Sequence, residues 1–377
     1  MKKQIKVGSF FAGVGGICLG FLQAQNPKAE YKLSWANEFD EYACETYRRN
    51  FSHPLLQGDI NKVLFPEQSE NYEYFNNLKE KMFAEPIDVL NGGFPCQAFS
   101  IAGEQEGFND ERGNLFYAFI NFIRIHDEKF NKKPRLLFLE NVKNLKSHDH
   151  GRTYKIIKSE LEKAGYTIKD AILNTSEYTD LPQNRERIYI LGFLNEEDAE
   201  KFDMFDRLDE FEKHKTDEDK KNEIKAIIDY SEDDKRYFYT KEKYPHYFIS
   251  EDEYDEEESN KERINLAEEI DEMYQFYQLR RGQYVRKNQS GLCPTLTANM
   301  GTGGHNVPLI LTKLGIRKLT PAETFKLQGF PVGNGYELPK TYKGRRYADG
   351  HLYKQAGNAV SVPLIKLLAE ELIKIFI

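Results

Sequence analysis

From Lys6 to Phe193, short apolar runs alternate with longer amphipathic stretches, the pattern of an α/β domain. Six runs read as strands: Ile5–Phe11, Tyr31–Asn37, Ile87–Gly92, Arg135–Glu140, Tyr166–Asn174 and Arg187–Phe193. Polar or glycine-containing turns end most of them, and parallel sheets carry their ligands at the carboxyl ends of the strands. Chemistry is therefore expected just after each run. Beyond Phe193 the chain becomes charged and poor in glycine, and residues 196–272 read as a solvated helical or partly disordered insert. The stretch from Arg280 to Pro308 is loop-rich and jointed by glycines, the kind of surface that carries function. Thr320-Pro321-Ala322-Glu323 is a capping box with proline at the first helical position, so a helix starts there and stops near Gly329. A last helix from about Pro363 places Leu364, Leu367, Leu368, Leu372 and Ile375 along one face, predicted to pack on the α/β domain.

A length of 377 residues suggests two domains, and 40% hydrophobic with 13% aromatic residues excludes wholesale disorder. Four cysteines are too sparse for a disulfide framework. The net charge of -8 hides a contrast. Between Glu196 and Glu272 stand 30 acidic and 13 basic residues, which leaves 31 acidic and 40 basic elsewhere. That basic remainder suits a polyanion. The start, Met1-Lys2-Lys3 before an apolar run, imitates a signal peptide, but five glycines between Gly8 and Gly20 spoil it as an apolar helix. No other stretch approaches the length of a transmembrane helix, so a cytoplasmic protein without membrane association is expected.

Four constellations carry chemistry. Phe10-Phe11-Ala12-Gly13-Val14-Gly15-Gly16 directly follows a strand, where glycines allow a tight turn and close backbone approach to a ligand at a helix N-terminus. Glu38 after the next strand suits ribose hydroxyls, and together with Asp59 after Gly58 it points to a nucleoside-containing cofactor, either NAD or S-adenosylmethionine. Gly92-Gly93-Phe94-Pro95-Cys96-Gln97 puts a cysteine on a turn at the sheet's carboxyl edge, placed to react; Cys18, Cys44 and Cys293 read as buried packing residues. The glycine-jointed segment up to Asn114 reads as a lid. Glu140 closes an apolar strand, where burial can hold a carboxyl protonated to donate to a ring nitrogen. In Gln183-Asn184-Arg185-Glu186-Arg187, two arginines at i and i+2 face the same way if extended, with forks suited to a carbonyl or phosphate oxygen.

Taken in order, these motifs resemble the C5-cytosine DNA methyltransferases, the bacterial modification methylases in particular. Phe11 to Gly16, Gly93 to Gln97, Glu140-Asn141-Val142, Gln183 to Arg187, Arg317 to Pro331 and Gln355-Ala356-Gly357-Asn358-Ala359-Val360 carry the likeness. It implies a doubly wound, Rossmann-like α/β sheet of the S-adenosylmethionine-dependent type with a smaller target-recognition domain. Residues 1–194 plus 350–377 would be catalytic, and 195–349 recognition and hinge. The implied cofactor is S-adenosylmethionine, leaving as S-adenosylhomocysteine, with no metal. Phe11, Gly13, Val14, Gly15, Gly16, Glu38, Phe39, Asp59, Ile60, Pro95, Leu115, Asn358 and Val360 match its binding positions. Cys96 matches the nucleophile, Glu140 the group holding N3 and the exocyclic amine, and Arg185 and Arg187 the pair near O2 and the phosphates. A cytosine in a duplex must be flipped out to meet them.

Specificity in that family sits in a variable region, here about 195–316. Thr295-Leu296-Thr297 matches its threonine-leucine pair, and Arg280, Arg281, Asn299 and His305 are candidates for base edges, with Gln97 and Ser100 also at the DNA. The implied partners are double-stranded DNA and a separately acting restriction endonuclease, for a monomeric enzyme. A tRNA cytosine-5 methyltransferase is the nearest rival reading, and the long recognition region favours DNA. A non-catalytic DNA-binding regulator would have no use for Cys96, Glu140 and Arg187 together.

Overall fold

The structure is a computed structural model describing residues 2–94, 114–254, 263–302 and 306–377. Along the chain run β1 (Lys3–Phe10), α1 (Gly16–Gln23), β2 (Ala29–Glu38), α2 (Glu41–Asn50), β3 (Leu55–Gln57), α3 (Ile60–Leu64), α4 (Tyr72–Met82), β4 (Val89–Gly93), α5 (Asn114–Phe130), β5 (Leu136–Val142), α6 (Arg152–Lys163) and β6 (Thr167–Asn174). There follow α7 (Thr175–Tyr178), β7 (Glu186–Phe193), α8 (Glu196–Lys201), α9 (Asp217–Ile227), α10 (Leu266–Glu269), β8 (Tyr277–Arg280), β9 (Tyr284–Lys287), β10 (Leu309–Thr312), β11 (Gly315–Lys318), α11 (Pro321–Lys326), β12 (Thr341–Tyr342), β13 (Arg345–Arg346), α12 (Asp349–Asn358) and α13 (Val362–Leu372). They divide into two compact units: residues 1–174, 186–212 and 362–377, and residues 175–185 with 213–361.

The first unit is built on a seven-stranded sheet of order β3-β2-β1-β4-β5-β7-β6. Strands β1 to β5 pair in parallel, while β7 runs antiparallel to both β5 and β6. The central strands are buried on both faces, which is why they read as apolar runs rather than as alternating patterns. All six expected strands are present, with every end within two residues of its expected place. The three-residue β3 is the addition. Phe10, Trp35, Phe119 and Phe122 form an aromatic knot on one face, with ring centroids 5.2–5.5 Å apart where they meet Phe10. On the other side α13 returns as expected: the Tyr31 hydroxyl donates to the Ala369 carbonyl (3.0 Å), and Lys3 Nζ to that of Phe376 (2.7 Å).

The second unit carries a four-stranded sheet, β11-β10-β8-β9. Here the acidic insert departs from the expected solvated surface. Tyr239, Tyr247, Ile264, Leu266 and Ile270 are buried and pack with Tyr277, Leu279, Leu309 and Ile316 into one apolar cluster. The insert thus builds a core with its tyrosines and isoleucines.

The predicted capping box forms, and it does more than cap. Glu323 accepts from Thr320 N–H (2.7 Å), takes both arms of Arg317 (2.7 and 2.8 Å) and accepts from Asp229 N–H (2.9 Å). The side chains of Arg317 and Glu323 are 0% and 3% exposed. Removing one member of such a buried pair strands the other charge, at about 3–5 kcal/mol. Glu323→Gln is therefore expected to lower the unfolding free energy of the second unit by that amount, read as a fall in its urea midpoint, and leave the first unit's transition in place. Replacing Arg317 and Glu323 together by apolar residues should cost much less.

Candidate active site

The loop after β1 is held in an unusual shape. Phe11, Gly13 and Gly15 all have positive φ, 52°, 55° and 85°. Glycine takes that conformation freely, whereas Phe11 is strained there, the sort of outlier that collects at functional sites. A Cβ on Gly13 would meet nothing within 4 Å, so the loop opens onto free space; one on Gly15 would lie 2.2 Å from the Phe51 ring. Ala12 N–H donates to the Asn37 carbonyl (2.9 Å), and Gly13 N–H to Glu38 Oε2 (2.7 Å). Glu38 Oε1 accepts from Phe39 and Asp40 N–H, 2.8 Å each. Burial raises the Glu38 carboxyl's pKa against the pull of these backbone donors. Gly15, the N-cap of α1, offers no side-chain acceptor, so the first-turn N–H groups of that helix suit an anionic ligand.

Beside this loop, Phe39 is 72% exposed, a large ring with no packing of its own to explain it. Asp59 is the N-cap of α3, with Oδ1 taking Asn61 and Lys62 N–H, and Ile60 is buried behind it. Val14 is buried and Leu115 packs on the main apolar cluster. An open glycine loop, a carboxylate on its rim and an uncovered aromatic ring fit a molecule with a charged tail, a ribose and a flat base.

The second group lies at the ends of β4 and β5. Glu140 is 8% exposed and pairs with Arg187, Nε to Oε1 3.1 Å. Arg187 is placed by β7, where it pairs in register with Val142. Gly93 is opposite Glu140 in the β4–β5 register, and a Cβ there would stand 3.0 Å from Glu140 Oε2. Asn141 Nδ2 donates to the Phe94 carbonyl (2.8 Å), tying down the chain just before residue 95. Pro95, Cys96, Gln97, Ser100 and the remainder of the expected lid lie outside the described residues, as does His305.

The two arginines of this motif are placed differently: Arg187 pairs with Glu140 within the first unit. Arg185 precedes β7, is 2% exposed, and donates to the carbonyls of Leu296 (2.8 Å), Gly357 (3.2 Å) and Ala359 (2.5 Å) within the second unit. Both of its Nη groups are taken by backbone carbonyls. Leu296, expected at the DNA, is buried. Thr297 and Asn299 are exposed, and Thr295 Oγ1 donates to the Asn184 carbonyl (2.6 Å). Arg280 and Arg281 are exposed at the β8–β9 turn, with Arg281 at φ 54°. Asn358 is exposed at the end of α12 and Val360 is buried. Sequence reasoning passed over Gln183, Asn141 and Gly357 as site residues, although each is a polar or glycine position inside a motif it had singled out.

Among the described residues no cluster of three or more His, Cys, Asp or Glu is placed to hold a metal, and no helix is long and apolar enough to cross a membrane.

A parallel-dominated sheet with a glycine loop after β1 and a buried carboxylate at the end of β5 defines a Rossmann-like methyltransferase fold. The model of the C-5 cytosine-specific DNA methylase family matches residues 5–374. The chain is 41% identical to the Type II methyltransferase M.Bsp6I of Bacillus sp. (strain RFL6), over 98% of this chain and 99% of that one. It is 33% identical to the Type II methyltransferase M.HaeII of Haemophilus aegyptius, over 98% and 93%. Its fold matches the crystal structure of the S. pombe Dnmt2 methyltransferase over 98% of each chain, with a TM-score of 0.62 at 16% identity. The chain belongs to the C-5 cytosine-specific DNA methylase family.

Proposed function

We propose that the protein methylates C5 of a cytosine flipped out of a specific duplex DNA sequence, as the modification half of a restriction–modification system. It would act in the cytoplasm as a monomer, with a cognate endonuclease acting separately. The observation that carries the reading is the buried Glu140–Arg187 pair facing Gly93 at the carboxyl edge of the sheet.

Phe11 to Gly16, Glu38, Phe39, Asp59, Ile60 and Leu115 would hold S-adenosylmethionine, and the family likeness assigns Asn358 and Val360 to the same molecule. When bound, that molecule supplies an electrophilic methyl group for C5. Cytosine C5 is too poor a nucleophile to take it unaided. Cys96 would add as thiolate to C6, moving electron density to C5. Glu140 would hold the exocyclic amine and pass a proton to N3, with Arg187 stabilising the carboxylate left behind. Loss of the C5 proton to solvent water then restores the C5–C6 double bond and expels Cys96 as thiolate, while N3 returns its proton to the Glu140 carboxylate. The other three cysteines support this assignment: each is buried and free, and burial raises their thiols, that of Cys44 to about 12, so none is a ready thiolate.

Residues 195–349 would recognise the target, through Arg280, Arg281, Thr297 and Asn299. Guanine suits the arginines and adenine the asparagine. Bisulfite sequencing of a plasmid from cells expressing the protein should show 5-methylcytosine at one recurring sequence and resistance to an endonuclease cutting there. Labelled methyl transfer to tRNA but not to duplex DNA would reverse the substrate assignment.

A further inference from the structure

Within the second unit, Gln183–Arg185 runs parallel to the chain approaching Leu296, with Asn184 N–H donating to the Cys293 carbonyl (2.9 Å). Residues at i and i+2 of an extended segment share a side, and here Gln183 and Arg185 both close on Leu296. Gln183 Oε1 accepts Leu296 N–H (3.2 Å), and Arg185 Nη1 donates to the Leu296 carbonyl (2.8 Å). The other end of each side chain reaches a different segment. Arg185 Nη2 donates to the carbonyls of Gly357 and Ala359, which flank Asn358 on either side. Gln183 Nε2 donates to Gln328 Oε1 (3.2 Å), and Gln328 Nε2 to the Ala356 carbonyl (2.8 Å).

Backbone packing joins the same two segments. A Cβ on Gly357 would lie 2.1 Å from the Thr297 carbonyl carbon, and one on Gly301 would lie 2.6 Å from the Gly350 oxygen. The α12 backbone therefore rests directly on residues 297–301, with no side chains between them. Arginine suits such a junction because its donors are fixed in one plane and always charged, so each bond to a carbonyl is strong and directional.

We propose that Arg185 is a positioning residue that joins the target-reading stretch Thr295–Asn299 to the donor-side stretch Asn358–Val360, making them one body. Arg185 touches neither DNA nor cofactor. It fixes the two carbonyls between which Asn358 is presented, and by the same guanidinium the peptide between the two recognition threonines. The inference rests on the roles proposed above for those two stretches.

The test uses the full chain and S-adenosylhomocysteine in the absence of DNA. Calorimetry on Arg185→Gln is expected to show at least tenfold weaker binding at full stoichiometry. In a double-mutant cycle Asn358→Ala should absorb most of that loss, because both changes act on one contact. Unchanged affinity for S-adenosylhomocysteine, with only DNA binding impaired, would overturn the inference and return Arg185 to a DNA contact. A reduced stoichiometry with unchanged affinity would overturn it too, as a general folding role. If Arg185→Gln does not fold, Arg185→Lys, which keeps the charge but loses the planar fork, is read by the same criteria. A wild-type chain that binds no S-adenosylhomocysteine overturns the donor assignment itself; a wild type that binds, beside a variant that binds equally, overturns only the inference.

Discussion

Cys96→Ser is expected to lower methyl transfer by on the order of 10⁴-fold or more, the scale seen when a covalent nucleophile is removed. Serine keeps the size of the side chain but has no accessible anion near neutral pH, so C6 is not attacked and C5 stays unreactive. Folding and DNA binding should be nearly unchanged, since the exchange replaces a single sulfur by oxygen. The decisive measurement is trapping. An oligonucleotide with 5-fluorocytosine at the target carries no C5 proton to lose, so the wild-type enzyme and its donor should yield a stable covalent complex at Cys96 by mass spectrometry, and Cys96→Ser none. Retained turnover in the variant, or an adduct elsewhere, would remove Cys96 from the mechanism.

Glu140→Gln should lower the methylation rate by about 10²–10⁴-fold, the range of a positioned acid–base group. The amide still accepts a hydrogen bond but has no proton to give N3, and it leaves Arg187 beside a neutral partner. Since Glu140 lies at the end of β5 and the glycine loop follows β1, the affinity for S-adenosylhomocysteine should move little. Single-turnover kinetics separate the two effects. A variant whose only defect is weak cofactor binding would contradict the assignment.

Much of this was legible in the chain because the physics was local. Strands buried on both faces spell apolar runs, and a glycine loop or a strand-ending glutamate follows them directly. The direction of β7 was not legible, because nothing within Glu186–Phe193 records whether its neighbour runs parallel. Strand β3 is too short to make a pattern. Arg185 and Arg187 looked equivalent at spacing i, i+2, yet one begins a strand beside Glu140 and the other belongs to a segment that turns onto Leu296. Only long-range placement separates them. The insert misled through composition: its tyrosines count for little beside so many carboxylates, although they form the cluster around Leu266.

The bare α-carbon at Gly357 also limits how new specificities arise. A foreign reading loop transplanted into the stretch around Thr297 brings its own backbone path, and any path that drifts toward α12 collides with main chain, where no rotamer can yield. Successful chimeras should therefore be those that exchange the loop and the helix as a single cassette.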